Sequence, residues 1–507
     1  MMEMLSSMLI LFHEPSLILY TVVGVFLGMY AGALPGISVV MAVSLLVSFT
    51  FSWSLHPSLA MMIGAHIGGN YGGSRCAILI NIPGTAPAAI TAFDGYPCAQ
   101  RGEVARALST AATQSVLGGI LGTIVMFTMT PIISNFALNF APRDYFLLGL
   151  MGLMLVSSLS GESFAKGIFC GAVGLLIGCV GMDYATSLTR FTFGSIPLMT
   201  GINSTVAIIG LFGMAEALIQ IRTVYKTTTV RQKIGRVVPL WKDVVKHIPL
   251  TLRTSSIGVF IGALPGTGGS IAALLAYDHA KKTVKNPEVP FGQGAIEGII
   301  APESADNASV EGAYIPMLTL GIPGDATTAV IIGALFVHGL RPGPLFMSTS
   351  PDVLGVICAA MLIGNIALLP VSFSGIRMFA KFCEIPKPIL MPLIIVLCVI
   401  GTYAISYSVT DVGLMMAFGV LGYFMKKHNY PVSCVVLGAV LSSLVEQNLR
   451  KSIGLSNGSL GKWFGDMLTD PLSCVLFIIL VTMMVTQTRI WKDHKGKLMF
   501  WKKQKVY

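Results

Sequence analysis

Two stretches of this chain, about 240 residues apart, repeat one another in apolar sequence that glycine and proline interrupt. The first is Gly72-Gly-Ser-Arg-Cys-Ala-Ile-Leu-Ile-Asn-Ile-Pro-Gly-Thr-Ala86, and the second is Gly312-Ala-Tyr-Ile-Pro-Met-Leu-Thr-Leu-Gly-Ile-Pro-Gly-Asp-Ala326. A Gly-Ala-Leu-Pro-Gly precedes each, at residues 32–36 and 262–266. Unwound backbone survives at membrane depth only where protein buries it or where it lines a wet cavity. A pair of such breaks in corresponding halves points to a transporter's binding site.

The membrane setting follows from composition. Of 507 residues, 54% are hydrophobic and 11% are charged, whereas a soluble domain carries roughly a quarter charged residues. The 55 glycines suit helices that pack closely through small residues. The net charge of +10 does not indicate nucleic-acid binding, because the basic residues cluster between apolar stretches as loop charges do. The nine cysteines show no CxxC or metal-type spacing and read as small buried hydrophobes. No removable signal peptide is evident at the N-terminus. The sequon Asn307-Ala-Ser309 sits inside a polar membrane motif, which argues against glycosylation.

The expected fold is all-α and polytopic, with about 12 transmembrane helices, broken or re-entrant segments, and two inverted-topology repeats. Spans are expected near 17–31, 39–55, 108–131, 145–160, 166–182, 203–220, 254–277, 352–375, 389–402, 404–424, 431–447 and 470–489. Residues 57–95 and 295–345 are apolar yet crowded with Gly, Pro and Asn, and they read as broken helices or re-entrant hairpins. The expected division is a first membrane repeat over 1–222, a basic cytoplasmic linker over 223–253 and a second repeat over 254–450. A loop with the last span follows over 451–489, then a basic cytoplasmic tail over 490–507. Counting crossings from the basic anchors puts Lys166 and Lys426 inside, and Arg143, Asp183 and Arg450 outside. Ala141-Pro-Arg143 resembles Ile385-Pro-Lys387 but falls on the opposite side, hence the inversion.

Several blocks together are specific to one family: Gly32-Ala-Leu-Pro-Gly-Ile-Ser38, Asn81-Ile-Pro-Gly-Thr-Ala86, Phe93-Asp-Gly-Tyr-Pro97, Gln100-Arg-Gly-Glu103, Gly262-Ala-Leu-Pro-Gly-Thr-Gly-Gly269, Ala301-Pro-Glu-Ser-Ala-Asp-Asn307 and Gly321-Ile-Pro-Gly-Asp325. They resemble the large membrane subunit of the tripartite tricarboxylate transporters over essentially the whole chain. The resemblance implies a bacterial inner-membrane permease working with a periplasmic solute-binding protein and a small membrane subunit. It implies import of citrate-like and other carboxylates on a sodium or proton gradient, with no cofactor. No Walker A sequence occurs, in keeping with a system that does not use ATP.

Read as chemistry, the breaks offer what a multivalent anion needs. Backbone N–H groups at helix starts bind anions, and glycine lets the backbone come close. Gly36, Ser38, Gly266, Thr267, Gly268 and Ser270 have the composition for this, with Ser38, Thr267 and Ser270 as possible caps. The plainer reading is that these glycines only permit tight helix packing. Carbonyls freed at the second pair of breaks, with hydroxyl and carboxylate oxygens, suit sodium. The ion-binding candidates there are Asn81, Gly84, Thr85, Asp306, Gly324, Asp325, Thr327 and Thr328, with Asp325 carrying the charge. Its plainer reading is a turn-capping Asp at a wet membrane surface.

The block Glu303-Ser-Ala-Asp-Asn-Ala-Ser-Val-Glu311 is the densest polar patch near the core. Asn70, Gly72, Ser74, Asn307 and Ser309 are expected near substrate or ion; the alternative is an interfacial loop pairing with Lys281 or Lys282. Arg75 is a candidate bidentate clamp for a carboxylate, whereas Arg101 and Arg341 could simply snorkel. His66 and His338 could relay protons, or serve as hydrogen-bonded packing residues.

Two other classes compete with an ion-coupled carboxylate importer. A membrane-embedded enzyme would use Asp306 or Asp325, but HExxH and paired aspartyl signatures are missing, and the duplication has no obvious enzymatic purpose. A passive anion channel suits polar broken helices but does not explain the duplication.

Overall fold

The computed structural model describes residues 14–34, 37–159, 163–183, 186–222, 241–374 and 387–487. These are almost wholly helical; one two-residue hairpin pairs β1 (Gly181–Met182) with β2 (Thr189–Arg190). By length and apolar content, six helices among the described residues are able to cross a membrane, or seven if one bent pair counts as a span. The protein is an all-α, multi-pass membrane protein.

The first half begins with α1 (Pro15–Ala33), α2 (Val39–Thr50), α3 (Leu55–Ile80) and α4 (Ala88–Cys98). Proline stands at the first position of α1, where its missing N–H leaves no bond unmade. A π-helical turn, Ala99–Glu103, leads into the 34-residue α5 (Val104–Ala137). Helices α6 (Pro142–Leu159) and α7 (Phe164–Gly178) follow, then α8 (Ser204–Ile208) and α9 (Ala215–Arg222), joined by a π-helical turn at Ile209–Met214.

The second half runs through α10 (Trp241–Gly262), α11 (Gly268–Thr283), α12 (Glu297–Leu320), α13 (Ala326–Val337), the short α14 (Phe346–Thr349) and α15 (Pro351–Ser374). Next come α16 (Lys387–Ser406), α17 (Val409–Lys427), α18 (Val432–Leu455), α19 (Leu460–Thr469) and α20 (Pro471–Gln487). Helix α10 starts at Trp241, so the basic segment is already helical from there. The stretch 254–277, expected as one span, is two helices interrupted at Ala263–Thr267.

The glycine-rich regions break later than their composition suggests. Helix α3 passes intact through Gly68, Gly69, Gly72 and Gly73, and α12 through Pro302, Gly312 and Pro316. Those glycines serve packing. A Cβ on Gly24, Gly28 or Gly32 of α1 would meet the backbone of Met61, Ala65 or Gly69, and Gly64, Gly68 and Gly72 of α3 face back onto α1. In the second half Gly258 and Gly262 of α10 stand in the same way against Ala305 and Ser309 of α12. Helix α5, from the first half, packs along α12, while α15, from the second, packs along α3.

The residues form two compact units. One comprises residues 1–138 and 202–427 and contains both breaks. At one end of this unit Arg106 pairs bidentately with Asp243 (2.8 and 3.1 Å) and also reaches Glu288 (3.2 Å), which Lys246 holds at 2.8 Å.

The other unit comprises residues 139–201 and 428–507. In it, Gly174 of α7 and Gly438 of α18 face each other's helix backbones. Arg450 pairs with Asp183 (2.8 Å) and Glu446 (2.9 Å), and Arg190 pairs with Glu446 (2.5 Å). Lys166 donates to the carbonyl of His428 at 2.8 Å.

Candidate substrate and ion site

Each of the two repeated motifs ends its long helix in a left-handed residue: Asn81 at φ 54° and Gly321 at φ 70°. Beyond Asn81 the chain doubles back, and the Gly84 N–H donates to the Gly73 carbonyl at 3.3 Å. That retraces about eight residues, or about 12 Å, of α3. Gly324 likewise returns to lie against Ala313 of α12, and its carbonyl accepts the Gly266 N–H at 2.6 Å. The second Gly-Ala-Leu-Pro-Gly is thereby bonded to the second break. Both motifs are broken helices.

Asp325 is the N-cap of α13. Its Oδ1 accepts the Thr328 N–H at 2.7 Å, and Thr328 Oγ1 accepts the Asp325 N–H at 2.9 Å, a complete capping box. The turn-capping reading of Asp325 is therefore correct as far as it goes. Its other oxygen, Oδ2, lies 3.4 Å from His66 Nε2 in α3. The Asp325 side chain keeps 19% exposure, whereas His66 keeps 1%. His66 Nδ1 meets the Tyr314 hydroxyl at 3.3 Å, so the second break is seated on the first half.

The two long helices pass in opposite senses. His66 meets Tyr314, late in α12, whereas Tyr71 and Ser74, further along α3, lie beside Glu303, early in α12. Asp306 sits between these contacts at 3% exposure. Its carboxylate and the Pro87 ring are the nearest neighbours of Gly269 at the start of α11. The first break, the α11 N-terminus and Asp306 thus meet in one place. Buried oxygens near these contacts, Thr85 Oγ1, Asp306 Oδ1 and Asn307 Oδ1, have no hydrogen-bond partner in the described structure, whereas Ser74 lies next to the Glu303 carboxylate. Oxygen ligands of these kinds suit a hard cation. No group of three or more His, Cys, Asp or Glu able to hold a metal ion occurs among the described residues.

The remaining candidates divide between this centre and its supports. Gly36 lies outside the described residues. Ser38 caps α2 by accepting the Met41 N–H at 3.1 Å. Thr267 caps nothing; its hydroxyl donates to the carbonyls of Ile261 and Leu264. Gly266 (φ 77°) and Gly268 (φ 62°) adopt left-handed backbone that favours glycine, and open space surrounds Gly268. Ser270 and Asn70 are partly buried. Gly72 packs on Met29. Arg75, buried at 1%, donates to Met29 Sδ (3.0 Å) and to the Ser372 carbonyl (3.1 Å), so its guanidinium reaches α1 and α15. Asn307 donates to the Ser115 carbonyl at 3.0 Å, and Ser309 to the Asp306 carbonyl at 2.7 Å. Asn81 is exposed, Gly84 packs on the Gly32 carbonyl, and Thr327 is buried at 4%.

Three acids escaped selection as site residues. Glu303 accepts from Thr91 (2.5 Å) and Ser115 (2.7 Å), tying α4 and α5 to α12. Glu311 accepts from Asn365 of α15 at 2.8 Å. Asp94 accepts the N–H groups of Gly292, Gly294 and Ala295, each at 2.8 Å, and the Tyr277 hydroxyl at 2.8 Å. The available signal was polar side chains inside otherwise apolar helices, Ser115 of α5 and Asn365 of α15, facing acids eight residues apart on α12.

Comparison with known proteins agrees with this architecture. The model of the Tripartite tricarboxylate transporter TctA family matches residues 18–437. An uncharacterised 52.8 kDa protein in the TAR-I ttuC′ 3′ region of Agrobacterium vitis is 35% identical over 429 residues, covering 83% of this chain and 85% of its own. A second uncharacterised protein, in the TAR-II ttuC′ 3′ region of the same organism, is 38% identical over 201 residues, covering 40% of this chain and 83% of its own. No solved structure matches.

Proposed function

Because this chain belongs to the tripartite tricarboxylate transporter TctA family, a family of membrane transport components, we propose that it is the permease of an ion-gradient-driven importer of citrate-like or related carboxylates. The observation that carries this reading is Asp325, at the break of one half, seated on His66 of the other at 3.4 Å. An acid in the bundle interior that keeps part of its surface open is what a coupling ion needs, since an unpaired charge at membrane depth is expensive.

The proposal includes two inverted-topology repeats within an architecture of about 12 spans. In its support, α1 on α3 and α10 on α12 use the same glycine-on-carbonyl contacts, and α3 and α12 pass in opposite senses. Contacts also join residues that the charge count puts on one side of the membrane, namely Asp183 with Arg450, and Lys166 with His428.

The anion would lie near the α11 N-terminus, where Gly266 and Gly268 bare the backbone and Thr267 and Ser270 stand close. The cation, Na+ or H+, would be held by Asp325 or Asp306 with the oxygens of Thr85, Asn307 and Thr327, the freed carbonyls at Asn81 and Gly84, and the remaining lone pair of the Gly324 carbonyl that Gly266 engages. Binding of the cation offsets charge that otherwise opposes entry of the anion. Alternating access by one moving block then carries both. The remaining parts of the proposal are a bacterial inner-membrane location, a small membrane subunit and a periplasmic solute-binding protein as partners, with no cofactor.

Uptake of labelled citrate into proteoliposomes tests it. Wild-type protein with its partners should accumulate the anion only under an imposed sodium or proton gradient. Asp325→Asn keeps the N-cap but removes the charge, so accumulation should vanish while the thermal midpoint holds. Unchanged gradient-driven uptake in that variant would take Asp325 out of the ion site. Downhill flux without coupling in the wild type would favour a channel.

A further inference from the structure

Glu311 is fully buried in the middle of α12. Its Oε1 accepts one Asn365 N–H at 2.8 Å, and the Asn365 Nδ2 also donates to the Met361 carbonyl at 3.0 Å. Two acceptors of this pair, Glu311 Oε2 and Asn365 Oδ1, are buried without a donor among the described residues. The pair occupies a shaped cradle. Gly122 of α5 lies against the Glu311 carboxylate and Gly119 against the Asn365 amide, so a methyl group at either position would displace them.

Among the described residues, no cation makes a hydrogen bond or ion pair with either member. Helix α5 carries no charged residue over 107–137, α15 none after Asp352, and α10 none over 254–262. On its own helix the titratable neighbours are Asp306 and Tyr314. From α3 come His66, already set between Tyr314 and Asp325, and Arg75, whose guanidinium is engaged with Met29 and the Ser372 carbonyl. A buried carboxylate without a cation or a full set of donors is expensive. One proton on Oε2 turns an orphaned acceptor into a donor, and a carboxylic acid beside a primary amide is a matched pair.

We propose that Glu311, backed by Asn365, is a proton-binding site separate from the Asp325 break, loading H+ on one side of the membrane and releasing it on the other. The O–H bond forms with a proton from water in one access state and breaks to water in the other. The proposal rests on the transport reading above and gives it a proton as a coupling ion.

Proteoliposomes holding the permease with its partner subunits, assayed with labelled citrate and succinate, separate the two. Wild-type protein should show both substrate exchange and uptake driven by an imposed pH gradient. Glu311→Gln, a stand-in for the neutral form, should keep exchange and lose pH-driven accumulation. Wild-type-like accumulation in Glu311→Gln overturns the proton site, as does loss of exchange in folded protein or wild-type uptake that responds to sodium alone. Absence of both exchange and uptake in the wild type defeats the transport reading itself. Should Glu311→Gln fail to fold, Asn365→Ala retains the carboxyl but not its partner. Its uptake should shift along the pH axis by about half a unit or more, and an unmoved profile overturns the proposal.

Discussion

Single carboxylates carry much of this molecule's order, and Asp94 is the clearest. Four donors converge on it, three of them backbone N–H groups of the segment that leads into α12. Asp94→Ala would leave those donors buried and unpaired. The expected loss is about 3 kcal/mol or more, read as a lower thermal midpoint in detergent; Asp94→Asn should recover part of it. The sequence marks Asp94 only as part of Phe93-Asp-Gly-Tyr-Pro97, because its partners lie about 200 residues away. Arg75 teaches the converse. Residue type suggests a carboxylate clamp, but its contacts with Met29 and Ser372 run to neighbouring helices, and helical phase decides that direction.

At the scale of helices, glycine position separates packing from tolerance. Gly28→Ala would place a methyl group against the Ala65 backbone and should destabilise by about 1–3 kcal/mol. Gly413, in α17, faces open space, so Gly413→Ala should be neutral or stabilising by up to about 1 kcal/mol. A melting series on both variants checks the contrast; equal effects would refute the packing argument. Long apolar elements such as α1, α5 and α15 are legible from hydropathy because length and composition suffice for them. The intact passage of α3 through five glycines is not, since tight packing compensates for their weak helix propensity.

For the whole molecule, the duplication is plain in the motifs, but the exchange of partners between halves is not. Helix α5 lies on α12 and α15 on α3, contacts that no local spacing encodes. Neither half therefore completes its own packing. Chains cut within 223–240 should restore uptake when the two pieces are made together and aggregate when made singly. Folding of either piece alone, seen as a single symmetric peak on size exclusion, would contradict the interlock.

Acid stability belongs to this scale too. Lys246, and then Arg106, hold the Glu288 carboxyl below its usual range. A depressed folded value means the contribution is present above the unfolded pKa, about 4.3, and is lost as pH falls through the folded value. Glu288 is half-exposed, so the effect is small. Glu288→Gln should lower stability slightly at neutral pH and converge with wild type below pH of about 4, as thermal midpoints across pH will show.

The segment that doubles back after Asn81 covers most of about 12 Å of α3 with three residues, so it is drawn nearly taut beside a finished helix. Moving α4 past α3 by one helical turn, about 5.4 Å, would first have to break the Gly84–Gly73 bond, as a short leash stops before it stretches. A leash of that length makes α3, the first break and the start of α4 travel together.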